Sequence, residues 1–203
     1  MTTHKYETCR LIMRSWNIDD LEDLHLLGNS DSVMQYLDKS QYTIEDTRQL
    51  MDDYQDHISR HGFGSMACIE KNSNNLIGTV AFRYLEGIPH LINKVEFGWR
   101  IFANYWGNGY AGEISQKILE IAFLQFNFNE IVAIVSEHNF RSIRALNKLG
   151  MITSSENNFI HPKRSSELNP YRLYTMSREQ YLVKKHLINK QDIDLQEFSK
   201  CQN

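Results

Sequence analysis

The pattern of apolar and polar positions changes its period near the middle of the chain. In Val95–Ile101 every second residue is apolar, which is the period of a β-strand. In Tyr110–Phe126 apolar residues recur at the spacing of a helix. Gly107 and Gly109 separate the two segments. The pattern therefore predicts a strand, a tight turn and then a helix.

The same reading of period and turn residues extends over the rest of the chain. Strands are predicted at Glu7–Trp16, Ser65–Glu70, Leu76–Leu85, Ile131–Ser136, Met151–Ser155 and Arg172–Met176. Helices are predicted after Asn17, after Asp31, after Thr43 and from His138-Asn139 to Gly150. This order predicts one α/β domain with a mixed sheet in residues 1–177, followed by a polar C-terminal extension in residues 178–203.

The glycine turn suggests the first chemistry. The first backbone N–H groups of a helix have no partner within the helix, and they lie at the positive end of its dipole. Glycine also lets a backbone approach a ligand closely. The turn at Gly107 and Gly109 is therefore predicted to bind the phosphates of a ligand.

Composition narrows the class of protein. The chain has 203 residues, 41% of them hydrophobic, and a formal net charge of -3, which fits one globular domain and gives no basic footprint for nucleic acid. No apolar run is long enough for a membrane span, and no signal peptide is evident. Cys9, Cys68 and Cys201 are scattered, so we expect reduced thiols in a cytoplasmic protein without a metal site.

Two kinds of phosphate ligand compete for the glycines. Gly107, Gly109 and Gly112 match the dinucleotide fingerprint G-x-G-x-x-G, which would make the protein a nicotinamide-dependent oxidoreductase. However, the segment 104–106 is bulky where the strand should enter directly, and the first half of the chain lacks repeated strand-helix units. The Walker pattern is excluded because no Lys-Ser/Thr pair follows the glycines.

The residues around the turn also resemble a known family. VEFGWRI at 95–101 and YWGNGYA at 105–111 are similar to the acetyl-CoA-binding segment of GCN5-related N-acetyltransferases, in particular the branch with the ribosomal-protein N-terminal acetyltransferases. Agreement continues in Asn139-x-x-Ser142 and in KLGM at 148–151. Further matches are RLIMR at 10–14, IGTV at 77–80 and FIHP at 159–162. The resemblance covers about residues 7–176.

The resemblance implies a fold, a reaction and a binding site. The fold would be a mixed central sheet with helices on both faces, and the reaction would transfer an acetyl group from acetyl-CoA to a primary amine, without a metal. The turn amides would hold the pyrophosphate, and the backbone of the splayed strand would hold the pantetheine arm. The expected cofactor-binding residues are Trp99, Ile101, Trp106, Gly107, Asn108, Gly109, Tyr110, Ala111, Asn139 and Ser142.

The amine must lose a proton before it attacks, because its pKa lies near ~8 for an α-amine and ~10 for a lysine. Glu96, on the opposite face of the strand from Val95 and Phe97, is the candidate base. The alternative is a solvated carboxylate or a partner of Arg100. His138 is a second candidate, whereas a loop anchor or pocket wall is the expected role of His161.

The departure of the thiolate depends less on a general acid than the attack of the amine depends on a base, because a thiol has a pKa near ~8.5 and its anion is a tolerable leaving group. Many relatives carry a tyrosine for this step, but residues 145–147 read Ala-Leu-Asn. Ser142 is the candidate that remains, and contact with the cofactor or simple packing is an equal alternative for it.

The sequence indicates the acceptor site less clearly than the cofactor site. Residues 29–42 and 157–170 should wall its pocket by resemblance, with Tyr36, Tyr42, Phe63 and Tyr84 as aromatic candidates that could equally be core. We expect the acceptor to be a small molecule or a protein N-terminus, and the protein to be a monomer or a homodimer. The missing tyrosine leaves a second hypothesis, a CoA-binding module with little catalysis.

Overall fold

A computed structural model describes residues 4–37 and 41–187 of the chain. Its strands are β1 (Lys5–Glu7), β2 (Leu11–Arg14), β3 (Met66–Glu70), β4 (Leu76–Tyr84), β5 (Val95–Ile101), β6 (Glu130–Ser136), β7 (Ile152–Thr153) and β8 (Tyr171–Ser177). Its helices are α1 (Leu21–Gly28), α2 (Asp31–Met34), α3 (Ile44–His61), α4 (Tyr110–Glu120), α5 (Phe140–Leu149) and α6 (178–187).

The strands form one mixed sheet of eight strands in the order β1-β2-β3-β4-β5-β6-β8-β7. Neighbouring strands are antiparallel except for β5 and β6, which are parallel. The predicted fold class is confirmed. A mostly antiparallel sheet is not the doubly wound sheet that a dinucleotide fingerprint requires, so the literal glycine match lies in a different structural context.

Helices cover both faces of the sheet, as expected. On one face, α4 and α5 contribute Ile114, Ile118, Ile143 and Leu146 to a core that includes Phe97 and Ile131. On the other face, α1 and α3 contribute Leu21, Leu24 and Met51 to a second core with Ala67 and Ile69 of β3. The period of two in the strands separates the two cores, since adjacent residues of one strand point to opposite faces.

The helix ends follow the predicted capping residues. The Thr43 hydroxyl accepts a hydrogen bond from the Asp46 N–H at 3.1 Å, and the Asp46 carboxylate accepts one from the Thr43 N–H at 2.9 Å. This reciprocal pair supplies partners to two amides at the start of α3. The Asn139 side chain likewise accepts from the Ser142 N–H at 3.1 Å and caps α5.

Two predicted elements differ from the observed ones. The single strand predicted over Glu7–Trp16 is a short antiparallel pair, β1 and β2, because Thr8 turns the chain and its N–H donates to the Leu11 carbonyl at 2.9 Å. The helix predicted over Tyr110–Phe126 ends its regular part at Glu120 and continues as a π-helical turn in Ile121–Gln125. Its inward residues are nonetheless buried as predicted, because both forms keep the same face towards the sheet.

The start of the predicted C-terminal extension packs on the domain as α6. The Tyr181 ring contacts the Phe123 ring at a centroid distance of 5.0 Å, and the Lys184 ammonium donates to the carbonyl of Leu149 at 2.6 Å. The rest of the predicted extension, including Cys201, lies outside the described residues.

Candidate active site

The two parallel strands at the centre of the sheet separate after one point of contact. β5 and β6 share a single register pair, Glu96 with Val132, whereas β5 has seven register pairs with β4. β6 likewise has seven with β8. Each strand is therefore held firmly on its outer side, and a wedge-shaped gap opens between them beyond Glu96.

The hydrogen-bonding phase of β5 decides which backbone groups face this gap. Leu85 N–H donates to Lys94 at 2.8 Å, and Phe102 N–H donates to Ile77 at 2.9 Å. Since bonding positions alternate in an antiparallel pair, residues 94, 96, 98, 100 and 102 direct their backbone groups towards β4. The backbone of Trp99 and Ile101 therefore points into the gap, where a ligand rich in amides can bond to it as an added strand.

Trp106 occupies part of that hydrogen-bonding capacity. Its indole N–H donates to the Ile101 carbonyl at 2.7 Å. The guanidinium of Arg141, on α5, lies 4.5 Å from the centre of the Trp106 ring, in the arrangement of a cation–π contact. Trp106 thus joins the end of β5 to the start of α5 at the mouth of the gap.

The turn that opens α4 has the geometry of an anion site. Gly107 and Gly109 both have φ near 82°, a left-handed conformation that side chains other than glycine adopt at a cost. The first amide of α4 to reach a carbonyl of the turn is that of Glu113, which donates to Gly109 at 3.1 Å. The N–H groups before it are oriented as the unpaired donors of a helix start.

Arg10, in the turn between β1 and β2, holds this glycine turn in place. Its guanidinium donates to the Asn108 carbonyl at 2.9 Å and to the Glu113 carboxylate at 2.7 Å. It also lies 4.5 Å from the centre of the Tyr110 ring. Glu113 in turn accepts from the Arg10 backbone N–H at 2.8 Å. Burial acts to raise the pKa of the Glu113 carboxyl, but its hydrogen bonds from Thr8 and Arg10 outweigh burial and lower this pKa.

A cleft of about 1360 Å³ fills the gap and runs to the turn. Nine of the ten predicted cofactor residues line it, namely Trp99, Ile101, Trp106, Gly107, Gly109, Tyr110, Ala111, Asn139 and Ser142. Asn108 does not line the cleft, because its side chain turns back and donates to the Tyr105 carbonyl at 3.2 Å. The cleft also contains Arg100, Arg141, Arg144 and Lys148, which were not predicted as ligand contacts.

Glu96 lies where the two strands separate. Its carboxylate is 3.8 Å from the Arg83 guanidinium, and its side chain is only 13% exposed. Burial raises the pKa of Glu96 above its usual value, and the positive charges of Arg83 and Arg164 act in the opposite direction. A carboxylate with a raised pKa is better matched to accepting a proton near neutral pH. Arg100 is not its partner, since that guanidinium donates to the Tyr54 hydroxyl at 2.9 Å.

The two histidines have different surroundings. His161 is 7% exposed and is tied into its loop, where its N–H donates to Asn169 at 2.7 Å and its Nδ1 accepts from the Lys163 N–H at 3.2 Å. These bonds fit the loop-anchor interpretation. His138 precedes the Asn139 cap, and its backbone N–H donates to the Ser136 hydroxyl at 3.4 Å.

The aromatic candidates for the acceptor pocket separate into two groups. Tyr36 lines the cleft, and its carbonyl accepts from the Tyr171 hydroxyl at 2.9 Å. Phe63 instead packs against Phe82 and Tyr84, at centroid distances of 4.7 and 5.2 Å, in the core. The alternative that these residues are core therefore holds for Phe63.

Two features are absent from the part of the chain that the structure describes. No helix in residues 4–37 and 41–187 is long and apolar enough to cross a membrane. No group of three or more His, Cys, Asp or Glu side chains there is arranged to hold a metal ion.

Comparison with known proteins identifies the class that this fold and cleft define. The model of the acetyltransferase (GNAT) domain matches residues 10–152. The chain therefore belongs to the GNAT family of N-acetyltransferases, which use acetyl-CoA.

Curated relatives carry the same activity in their names. The chain is 28% identical over 144 residues to "Uncharacterized N-acetyltransferase YnaD" of Bacillus subtilis, covering 71% of this chain and 80% of the relative. It is also 28% identical over 144 residues to spermidine N(1)-acetyltransferase of Escherichia coli, covering 71% of this chain and 74% of that protein.

Solved structures agree with the fold. A GNAT-family acetyltransferase from Bacillus anthracis superimposes with a TM-score of 0.70 at 25% identity, covering 87% of this chain and 99% of that one. Spermidine N-acetyltransferase from Vibrio cholerae, in complex with CoA and spermine, gives a TM-score of 0.66 at 19% identity, covering 86% and 99%.

Proposed function

We propose that the protein transfers the acetyl group of acetyl-CoA directly to a primary amine, which is a small molecule or a protein N-terminus. The observation that carries this proposal is the single register pair between β5 and β6, which opens a cleft that runs from the glycine turn to Phe97 and Gly98, next to Glu96, although Glu96 does not itself line it. A thioester lying along β5 with its pyrophosphate at Gly107–Ala111 would bring its reactive carbon towards Glu96.

Each step of the reaction has a candidate group. Glu96 accepts a proton from the ammonium, directly or through a water molecule, and the free amine attacks the thioester carbonyl. The backbone N–H of Trp99 or Ile101 stabilises the negative oxygen of the tetrahedral intermediate. The carbon–sulfur bond then breaks, and the extra proton of the attacking nitrogen passes to the thiolate, with Ser142 as the candidate group that donates a proton to the sulfur and regains one from the nitrogen.

The relatives support an amine acceptor and leave its kind open. Spermidine N-acetyltransferases are among them, so a small amine is a reasonable acceptor. A Vibrio cholerae structure proposed to be a ribosomal-protein-serine acetyltransferase has a TM-score of 0.68 at 16% identity, a likeness of fold. The ribosomal-protein branch thus stays a prediction, as do a cytoplasmic location and a monomer or homodimer.

The test combines a binding and a product measurement. Calorimetry with acetyl-CoA should show binding, and mass spectrometry after incubation with amines and peptides should show a gain of one acetyl group. Binding without any product would favour a CoA-binding module, the alternative suggested by Ala-Leu-Asn at 145–147. Stabilisation by a nicotinamide nucleotide and not by acetyl-CoA would reject the proposal.

A further inference from the structure

The face of the sheet that carries Glu96 is rich in arginine. Arg83 lies beside Glu96 at 3.8 Å, and the charge of Arg164 also acts on this carboxylate. Arg100 follows on the same face of β5, since residues 96, 98 and 100 alternate with the inward-facing Phe97 and Trp99. Since Glu96 is already paired with Arg83, the guanidinium of Arg100 adds a positive charge on this face that Glu96 does not balance.

Gly98 forms an open floor between Glu96 and Arg100. A Cβ atom built on Gly98 would have no heavy atom within 4 Å, so the space above this residue is free. Glu96 and Arg100 are four residues apart, which separates their Cα atoms by about 13 Å in an extended strand. Both side chains are long enough to lean towards a small molecule that lies over Gly98.

Arg100 is not neutralised by the protein around it. Its Nη2 donates to a neutral group, the Tyr54 hydroxyl, at 2.9 Å. None of the ion pairs formed between residues in the described ranges 4–37 and 41–187 includes this guanidinium. Arginine keeps its charge at every pH at which proteins fold, and its planar fork matches a carboxylate. A partly buried guanidinium held by a phenol in a cleft is thus available to a ligand.

The phosphates of the cofactor have other partners. The glycine turn and α5 supply the amides of Gly107–Ala111 together with Arg141, on the opposite face from Arg100. An acceptor with a second positive charge would meet an excess of positive charge near Gly98. Like charges at short distance in a partly desolvated site cost binding energy, whereas an opposite charge gains it.

We propose that the acceptor is a primary amine that also carries a carboxylate, and that this carboxylate pairs with Arg100 while the amino group lies at Glu96. This inference rests on the proposed acetyl transfer and narrows its acceptor. It makes Arg100 a specificity-determining residue that selects against polyamines.

The test compares acceptors that differ only in the charge of the distal group. γ-Aminobutyrate, the corresponding amino alcohol and putrescine share one carbon chain, and shorter and longer homologues extend the series. Tripeptides with Glu, Gln or Lys at the second position form a parallel series for N-terminal amines. We expect kcat/KM to be about tenfold higher for the carboxylate than for the diamine in the better series, with the neutral compound between them.

Variants of Arg100 locate the source of that preference. Arg100→Gln removes the charge and keeps a donor for Tyr54, so kcat/KM for the carboxylate acceptor should fall about tenfold while that for the neutral acceptor changes little. Arg100→Lys keeps the charge and should retain part of the preference. Arg48→Gln, a change of an exposed arginine on α3 that pairs with Glu45, is the matched control and should behave as wild type.

The outcomes separate the two proposals. Faster turnover of putrescine or of the neutral amine would overturn the inference and leave acetyl transfer standing. The same follows if Arg100→Gln raises the KM for acetyl-CoA, because Arg100 would then serve the cofactor. Turnover of none of the amines, with acetyl-CoA bound or not, would overturn the acceptor class and the proposed function together.

Discussion

β5 has a closed edge, which is bonded to β4, and an open side, which consists of its edge towards β6 together with the face of the sheet that carries Gly98. On the β4 side a Cβ atom on Gly78 would lie 2.1 Å from the Arg100 carbonyl oxygen, so the two backbones are in close contact. On the open side, a Cβ atom on Gly98 would meet nothing within 4 Å. One glycine lets two strands approach, and the other leaves room for a ligand. A binding site of this kind needs one edge of the strand to be held rigidly by its neighbour, and another side of the strand to be open to the ligand.

The largest effect is expected at the point where the open edge begins. Glu96→Gln should lower kcat/KM by about a thousandfold, because the amide cannot accept the proton of the ammonium. Acetyl-CoA affinity, measured by calorimetry, should stay near that of the wild type. An unchanged rate in the variant would remove Glu96 from the mechanism.

The pH dependence of turnover, compared between the wild type and Glu96→Gln, gives a second readout. Burial raises the pKa of Glu96, so wild-type turnover should fall as the pH drops through a value above that of an ordinary glutamate. In Glu96→Gln that acid limb should be absent. Since the carboxyl is harder to ionise in the folded than in the unfolded chain, its ionisation costs folding free energy. The variant should therefore be at least as stable as wild type near neutral pH, as urea unfolding would show.

The closed edge should respond in stability. Gly78→Ala places a methyl group against the backbone of Arg100 and Ile101, so we expect a loss of about 3 kcal/mol in the free energy of unfolding. Gly98→Ala is the matched control and should change stability by less than about 0.5 kcal/mol. Equal losses in the two variants would contradict the comparison of the two edges.

A larger side chain at Gly98, on the open side of β5, should act on binding of the acceptor. Gly98→Val fills space over the strand without a backbone clash, and its kcat/KM for the amine should fall by about thirtyfold. The KM for acetyl-CoA should change little, and thermal unfolding should match wild type. If the KM for acetyl-CoA rises instead, the space above Gly98 belongs to the cofactor.

The smallest effect is expected at the far end of the open edge, where Arg10 braces the turn. Arg10→Gln removes its contacts to Asn108, Glu113 and Tyr110, and the Kd for acetyl-CoA should rise by about tenfold. Arg10→Lys keeps the charge without the planar fork and separates attraction from positioning. A Kd unchanged in both variants would show that the turn holds its shape alone.

Much of the cofactor side could be predicted because its signals are local. Gly107 and Gly109 indicate a left-handed turn, and the period of the apolar residues changes from two to helical spacing across this turn. Asn139 caps the next helix. Each of these depends on residues close in sequence. The first strand was predicted wrongly because the turn at Thr8 depends on hydrogen bonds between Thr8 and Leu11 that have no strong turn signature in the sequence.

The role of Arg10 could not be predicted, although it lies in a recognised motif. Its partners Asn108 and Glu113 are about a hundred residues away and are reached only across the sheet. Asn108 shows the converse situation, because its position lies inside the motif while its side chain bonds back to its own turn. Motif position indicates that a residue belongs to a site and does not indicate which way its side chain points.

The sequence by itself determined the family, the sheet with helices on both faces and the turn that opens α4, since local propensity and the alternation of apolar residues encode them. Only the tertiary structure decided that β5 and β6 touch at one register pair, that Arg100 is held by Tyr54 rather than by Glu96, and that Gly98 faces open space. These features depend on how segments that are distant in sequence pack against one another. The residues of a single segment do not determine that packing.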